Sequence, residues 1–137
     1  MAERDKTGFK GYYQDKAKQQ RRVLPEEYFP DETQYKRGMV VTAHADDAEF
    51  SCSGTVAKWC AEGWDVVYVI CTDGSKGSED KDMTSEQLIK ARTDEQIRAG
   101  RVLGLKEVAF LGYPDGYLEP TLDLRRDIAR AIRKHKP

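Results

Sequence analysis

Cysteine and histidine are scarce in this chain. Its three cysteines, Cys52, Cys60 and Cys71, are odd in number and none lies two residues from another, which excludes a zinc ribbon and a thioredoxin-type redox pair. They are expected to be reduced and partly buried, since a free cysteine packs like a small hydrophobe. An excess of one charge is missing too: 23 basic and 24 acidic residues give a formal net charge of -1, so nothing advertises a nucleic-acid partner. No apolar run approaches membrane-spanning length, and the polar stretch from Met1 to Arg22 has no apolar core of the kind a secretory signal needs. The expectation is a cytoplasmic protein with no nucleic-acid and no membrane partner. Neither Walker spacing nor G-x-G-x-x-G occurs, which argues against a nucleotide cofactor.

What is present fits one ordinary domain in 137 residues. Residues 1–37 are charged, interrupted by Gly8, Gly11, Pro25 and Pro30, and sprinkled with tyrosine and phenylalanine. They are expected to form a polar arm whose aromatics pack on the body or on a second subunit. Its basic part, Lys10 to Arg22, offers an anionic partner as the alternative. From residue 38 to 137 short apolar runs alternate with helical patterns, the mark of βα units feeding a mostly parallel sheet. Strands are expected at Met39 to Ala43, Val66 to Cys71 and Val108 to Leu111. Helices are expected at Ala48 to Ala61, from the capping-box spacing Thr84 to Gln87 as far as Gly104, and at Leu122 to Lys134.

Three such units in series predict an α/β fold, a Rossmann-like three-layer sandwich whose ligands sit at the carboxyl ends of the strands. In a doubly wound order the first strand lies centrally. At the ligand-binding edge fall His44 to Glu49, Thr72 to Asp82 and Gly112 to Glu119.

His44-Ala45-Asp46-Asp47-Ala48-Glu49 sets an imidazole and adjacent carboxylates at a strand end, just before a helix. Clustered carboxylates repel one another and resist desolvation, so such a group caps a helix, meets a cation or holds a metal. One reading is purely structural: Asp46 or Asp47 is the N-cap, Glu49 a first-turn acid favoured by the helix dipole, and His44 a satisfied core residue. The other is chemical. An imidazole and a carboxylate supply two ligands suited to Zn²⁺ or Fe²⁺, leaving the second carboxylate free to act as a base toward a water whose pKa zinc lowers to about 7.

Val41-Thr42-Ala43-His44-Ala45-Asp46-Asp47-Ala48-Glu49-Phe50, followed by Gly54-Thr55, resembles the Ala-His-Pro-Asp-Asp signature of the LmbE-like (PIG-L) deacetylases. Three further stretches agree in order: Thr72-Asp73-Gly74 with Gly77, Arg92-Thr93-Asp94-Glu95 with Ala99, and Phe110-Leu111-Gly112-Tyr113-Pro114-Asp115-Gly116. The resemblance implies zinc-dependent hydrolysis of an N-acetyl group on an amino sugar or glycoconjugate. It implies His44 and Asp47 as ligands of zinc or another divalent metal, Asp46 as general base, and Arg92 and Asp115 as residues facing the substrate. Arg92 otherwise reads as a solvated mid-helix residue and Asp115 as a plain turn residue.

Ala45 stands where the family usually has proline, a change that removes no chemical group. The larger departure is at the carboxyl end, where the family's third zinc ligand, a later histidine, has no counterpart. His135 ends a helix that feeds the next strand and is expected at the opposite edge of the sheet, beyond reach of His44 across a strand of roughly 17 Å. The expectation is therefore an incomplete deacetylase domain, truncated on its carboxyl-terminal side and inactive alone, forming a homo-oligomer or associating with its missing part. The reading of a different class is a non-catalytic Rossmann-like binding or assembly module, or one inactive fragment of a split enzyme.

Overall fold

The computed structural model describes residues 36–137, so the arm expected over residues 1–37 lies outside the described residues except for Lys36 and Arg37. In chain order the elements are β1 (Arg37–Thr42), α1 (Asp47–Ser51), α2 (Ser53–Ala61), β2 (Asp65–Thr72), α3 (Ser85–Leu103), β3 (Glu107–Tyr113) and α4 (Leu122–His135). The strands pair in the order β1-β2-β3, both pairings parallel. Among the described strands β2 lies between β1 and β3, and the other edge of β1 has no strand partner, an order that matches one half of a doubly wound sheet.

Parallel pairing requires both faces of the sheet to be covered, and β2 meets that demand with an unbroken apolar run. Val66, Val67, Tyr68, Val69, Ile70 and Cys71 are all buried. Alternate residues serve opposite faces. Val66, Tyr68 and Ile70 join Ala48 of α1 and Val56 of α2 in one cluster, flanked by Val40, Val108, Phe110, Trp59 and Leu103. The register pairs Val69 with Val41 and with Ala109 on the other face, where α4 lies against the sheet. The result is the expected α/β layer sandwich.

The helix expected over Ala48 to Ala61 is two helices. Cys52, at φ -144, ends α1 and opens α2. Flanking hydroxyls turn back onto the preceding turn, Ser51 Oγ to the Asp47 carbonyl and Ser53 Oγ to the Glu49 carbonyl, each 2.7 Å. Such back-bonding competes with the helical ladder and bends it. By contrast α3 starts and stops as its sequence dictates. Thr84 caps it with a full capping box to Gln87, and Gly104 closes it at φ +81, in the left-handed region that glycine enters without steric penalty. Val102, on the apolar pattern of that helix, is 89% exposed.

Helix α3 packs against Val108 and Leu105 at Gly100. A Cβ on Gly100 would stand 2.8 Å from Val108 Cγ2 and 3.2 Å from Leu105 Cδ1, so only glycine fits there as packed. Trp59 and Trp64 stack with ring centroids 5.0 Å apart, filling the corner where α2 returns to β2. No helix among the described residues is long and apolar enough to cross a membrane.

Tyr68 is fully buried, and its hydroxyl has no hydrogen-bond partner among the described residues. Burial first, and then the Glu49 carboxylate, push its phenol far above the ordinary value. A folded-state pKa raised above the unfolded one gives stability that is whole below about pH 10 and is lost as pH rises beyond it, because the unfolded phenol ionises first. Tyr68→Phe should hold neutral stability within about 1 kcal/mol, since it deletes an unsatisfied buried hydroxyl, and should lessen the alkaline loss. Denaturant midpoints compared from about pH 8 to 12 check this; parallel curves for the two proteins would contradict it.

Candidate active site

The carboxyl ends of the three parallel strands are laced together before any chemistry is considered. Thr72, at the end of β2, donates its backbone N–H (2.9 Å) and its hydroxyl (2.8 Å) to the Ala43 carbonyl just past β1. Asp73 N–H then donates to the Tyr113 carbonyl at the end of β3 (2.9 Å). With the strand ends fixed, the loops that follow converge on one cleft of about 380 Å³. His44, Asp46, Asp47, Arg92 and Asp115 all line it, together with Gly74 and Lys76.

His44 leaves β1 with its backbone N–H donating to Asp47 Oδ2 at 2.9 Å. Asp46 occupies the N-cap position of α1 but its side chain makes no capping bond, and its backbone is left-handed at φ +75. Neither aspartate therefore serves as an ordinary N-cap. The Asp46 carboxylate, half exposed, lies 3.9 Å from Arg92 Nη1, which in turn reaches Glu95 at 3.2 Å. Arg92 packs over the β2 loop, where a Cβ on Gly74 would make an ordinary contact with its Cβ at 3.5 Å, and it is the φ of +68 that favours glycine at this position.

Asp115 is buried at 7% exposure and both its oxygens are used. Oδ1 lies 2.8 Å from His44 Nε2, and Oδ2 accepts the Lys76 N–H at 3.2 Å. Its own N–H donates to Asp73 Oδ1 at 3.1 Å, which also accepts the Ser75 N–H at 2.9 Å. Burial alone would raise the Asp73 carboxyl, but these hydrogen bonds outweigh it and hold the group below the ordinary carboxylate range. The Asp115 carboxylate makes Nε2 the protonated nitrogen of His44, because an ionised carboxylate only accepts.

That tautomer leaves the Nδ1 lone pair free, 3.7 Å from Asp47 Oδ2. Two donors bound to one tetrahedral zinc at ordinary bond lengths stand about 3.4 Å apart, so His44 and Asp47 fit as two ligands of such an ion. An imidazole whose other nitrogen donates to a carboxylate is the usual condition of a zinc-binding histidine. Among the described residues no group of three or more His, Cys, Asp or Glu side chains is placed to hold a metal. His135 lies at the opposite edge of the sheet as expected, with Arg37, Asp65 and Lys106, and its Nε2 is 3.8 Å from Glu107.

The sequence reading missed Gln96. This α3 residue is only 2% exposed, and its side chain accepts the Asp46 N–H and donates to Glu49, each at 2.8 Å. Helical phase held the signal: Gln96 is eight residues after buried Leu88 and four before buried Gly100, a polar side chain on a buried stripe.

Residues 39–137 match the family described as PIG-L, GlcNAc-PI de-N-acetylase. Diacetylchitobiose deacetylase of Thermococcus kodakarensis is 34% identical over 102 residues, covering 74% of this chain and 38% of that protein. Among solved structures, the N,N'-diacetylchitobiose deacetylase of Pyrococcus horikoshii superposes with a TM-score of 0.77 at 28% identity, over 92% of this chain and 47% of that one. The 4-carboxy-2-hydroxymuconate hydratase GalB of Pseudomonas putida follows with a TM-score of 0.68 at 25% identity, over 74% of this chain and 44% of that one. The chain thus spans less than half the length of each of these relatives.

The role of Asp115 toward His44 can be checked without metal or substrate, because His44 and His135 are the only histidines in the chain. Ring ¹⁵N shifts of the metal-free protein should show His44 as the Nε2–H tautomer. Asp115→Ala should convert it to a mixture, while Asp115→Asn, which keeps an acceptor oxygen, should preserve it. Equal tautomer ratios in the wild-type and alanine proteins would show that Asp115 does not set the ring.

Proposed function

Because the chain belongs to the PIG-L family of de-N-acetylases, we propose that its cleft serves hydrolysis of an N-acetyl group on an amino sugar or glycoconjugate, releasing acetate and a free amine. The observation that carries this reading is the meeting of His44, Asp46, Asp47, Arg92 and Asp115 in one cleft at the strand ends. Those residues lie far apart in sequence, and the loops that bring them together are the ones where ligands bind in an open parallel sheet.

In this reading His44 Nδ1 and Asp47 would hold zinc or another divalent ion, with a further ligand from outside the described residues. Such an ion, when bound, acidifies water and polarises an acyl carbonyl. Asp46 makes no capping bond and keeps a half-exposed carboxylate, so it is free to accept a proton from the attacking water and return it to the leaving amine. Arg92, with only partial exposure and a guanidinium beside Asp46, offers donors to sugar hydroxyls entering the cleft. Asp115 faces the same space, although the bonds already on its two oxygens reserve it first for His44 and the Lys76 backbone.

A hydratase shares the architecture, so the fold alone does not choose the reaction. What favours deacetylation is the sequence likeness to the archaeal deacetylase together with the family's extent over residues 39–137. Acetate release from N,N'-diacetylchitobiose, with added zinc and with the chain joined to a carboxyl-terminal remainder, tests the proposal. Failure of every such form to release acetate or to bind stoichiometric metal would favour a non-catalytic binding module.

Within an active form, Asp46→Asn should keep its metal and lower turnover by about 10² to 10⁴. His44→Ala and Asp47→Ala should instead lose metal first and activity in consequence. Metal analysis beside steady-state kinetics separates the two classes, and near-normal turnover of Asp46→Asn would move the base elsewhere. The 137-residue chain alone, with two donors among the described residues where catalytic zinc ordinarily has three, should bind zinc weakly and turn over little. Robust zinc-dependent acetate release by it would overturn that expectation and send the search for a third donor to Asp73 and Asp115.

A further inference from the structure

We propose that Gln96 is a positioning residue for Asp46: its buried carboxamide locks the Asp46 peptide in the left-handed conformation and so sets where the Asp46 carboxylate stands in the cleft. The catalytic meaning rests on the function proposed above, while the lock itself does not.

Left-handed backbone is uncommon for any residue with a side chain, and it persists where the surroundings over-determine it. At Asp46 the surroundings do so from both sides of the residue. Its N–H donates to Gln96 Oε1 at 2.8 Å, and its carbonyl accepts the Phe50 N–H at 3.2 Å to start α1. With both main-chain groups held and no capping bond on the side chain, the carboxylate is directed to the cleft, 3.9 Å from Arg92.

The chemistry at position 96 is specific. A backbone N–H can only donate and the Glu49 carboxylate can only accept, so the group between them must accept at one end and donate at the other. A carboxamide does this in one fixed orientation. Glutamate there would set two carboxylates against each other, and methionine would satisfy neither neighbour. Burial raises the stakes: Gln96 is 2% exposed, and Glu49 Oε2 is itself buried with no partner among the described residues. Gln96 also follows Arg92 by four residues on α3, so one helical face reaches Asp46 twice, at its amide and at its carboxylate.

The test reads Asp46 directly, by amide hydrogen exchange in the metal-free full chain. The wild-type Asp46 N–H should be protected. Gln96→Met should speed its exchange about tenfold or more, the equivalent of one typical hydrogen bond, while the amides of β2 are unchanged. Gln96→Glu should speed it as well, by driving the two carboxylates apart. The double variant Gln96→Glu with Glu49→Gln restores a donor facing each acceptor and should return the wild-type rate. If Gln96→Met does not fold, the comparison of Gln96→Glu with the double variant decides alone. Unchanged Asp46 exchange in a folded Gln96→Met protein, or no rescue by the swap, overturns the proposal.

In an active form Gln96→Met should lower kcat by about ten- to a hundredfold, as a displaced catalytic group does, with metal affinity unchanged. Loss of metal together with rate would make Gln96 a general stabiliser and overturn the catalytic part. Exchange behaving as described in a protein that never releases acetate would leave the lock standing and remove the function proposed above.

Discussion

Much of the arrangement at the carboxyl edge of this sheet depends on one hydrogen bond, from His44 Nε2 to Asp115 Oδ1. Parallel strands deliver three loops to one side of the sheet, but nothing in the backbone ladder beyond the strand ends obliges those loops to meet. The His44–Asp115 bond joins the first loop to the third. Asp115 then ties in the second loop through the Lys76 N–H and through Asp73. The carboxylate is buried and fully engaged, so removing it would leave an imidazole without its orienting acceptor and the Lys76 N–H short of a partner. Placement of Asp47 beside the free ring nitrogen is a consequence of this arrangement.

Much of this was legible in the sequence because it is written in local chemistry. The capping box at Thr84 and Gln87, the closing Gly104 and the unbroken apolar run of β2 each correspond to one physical demand of one element. His44, Asp46 and Asp47 were legible for another reason, since polar side chains clustered at a strand end are costly unless used, whereas Arg92 and Asp115 were legible only through the family resemblance. What stayed hidden is relational. Whether α1 and α2 form one helix or two turns on hydroxyls folding back at Ser51 and Ser53, and an uninterrupted helical pattern reads the same either way. That Asp115 serves His44, and not only a substrate, depends on two loops 71 residues apart in sequence meeting at 2.8 Å. Gln96 lay on the buried stripe of α3, yet a polar residue there looks like a lapse in pattern until its two partners are seen.

The charges of the cleft are arranged in series. Asp73, held ionised by backbone donors, fixes the loop that presents Lys76. Arg92 stands between Asp46 and Glu95 and so moderates the repulsion among neighbouring carboxylates. At the opposite edge His135 and Glu107 belong to a separate cluster with Lys134, whose ammonium first, against the counter-effect of burial, draws the Glu107 carboxyl down. Each end of the sheet is thus built from its own ion pairs.

The missing side chain at Gly100 has a reach beyond its own contact. It lets α3 settle against β3 at a separation no other residue would allow, and α3 is the arm that carries Gln96 one turn and Arg92 two turns further along. A single atom added at that remote spot would force Val108, Leu105 or the helix itself to give way, and any movement of the helix would be passed on to both side chains. For a lineage diversifying this domain, such a position acts as a tuning screw: the width of the cleft can be altered from its far wall, with every residue that lines it left as it is.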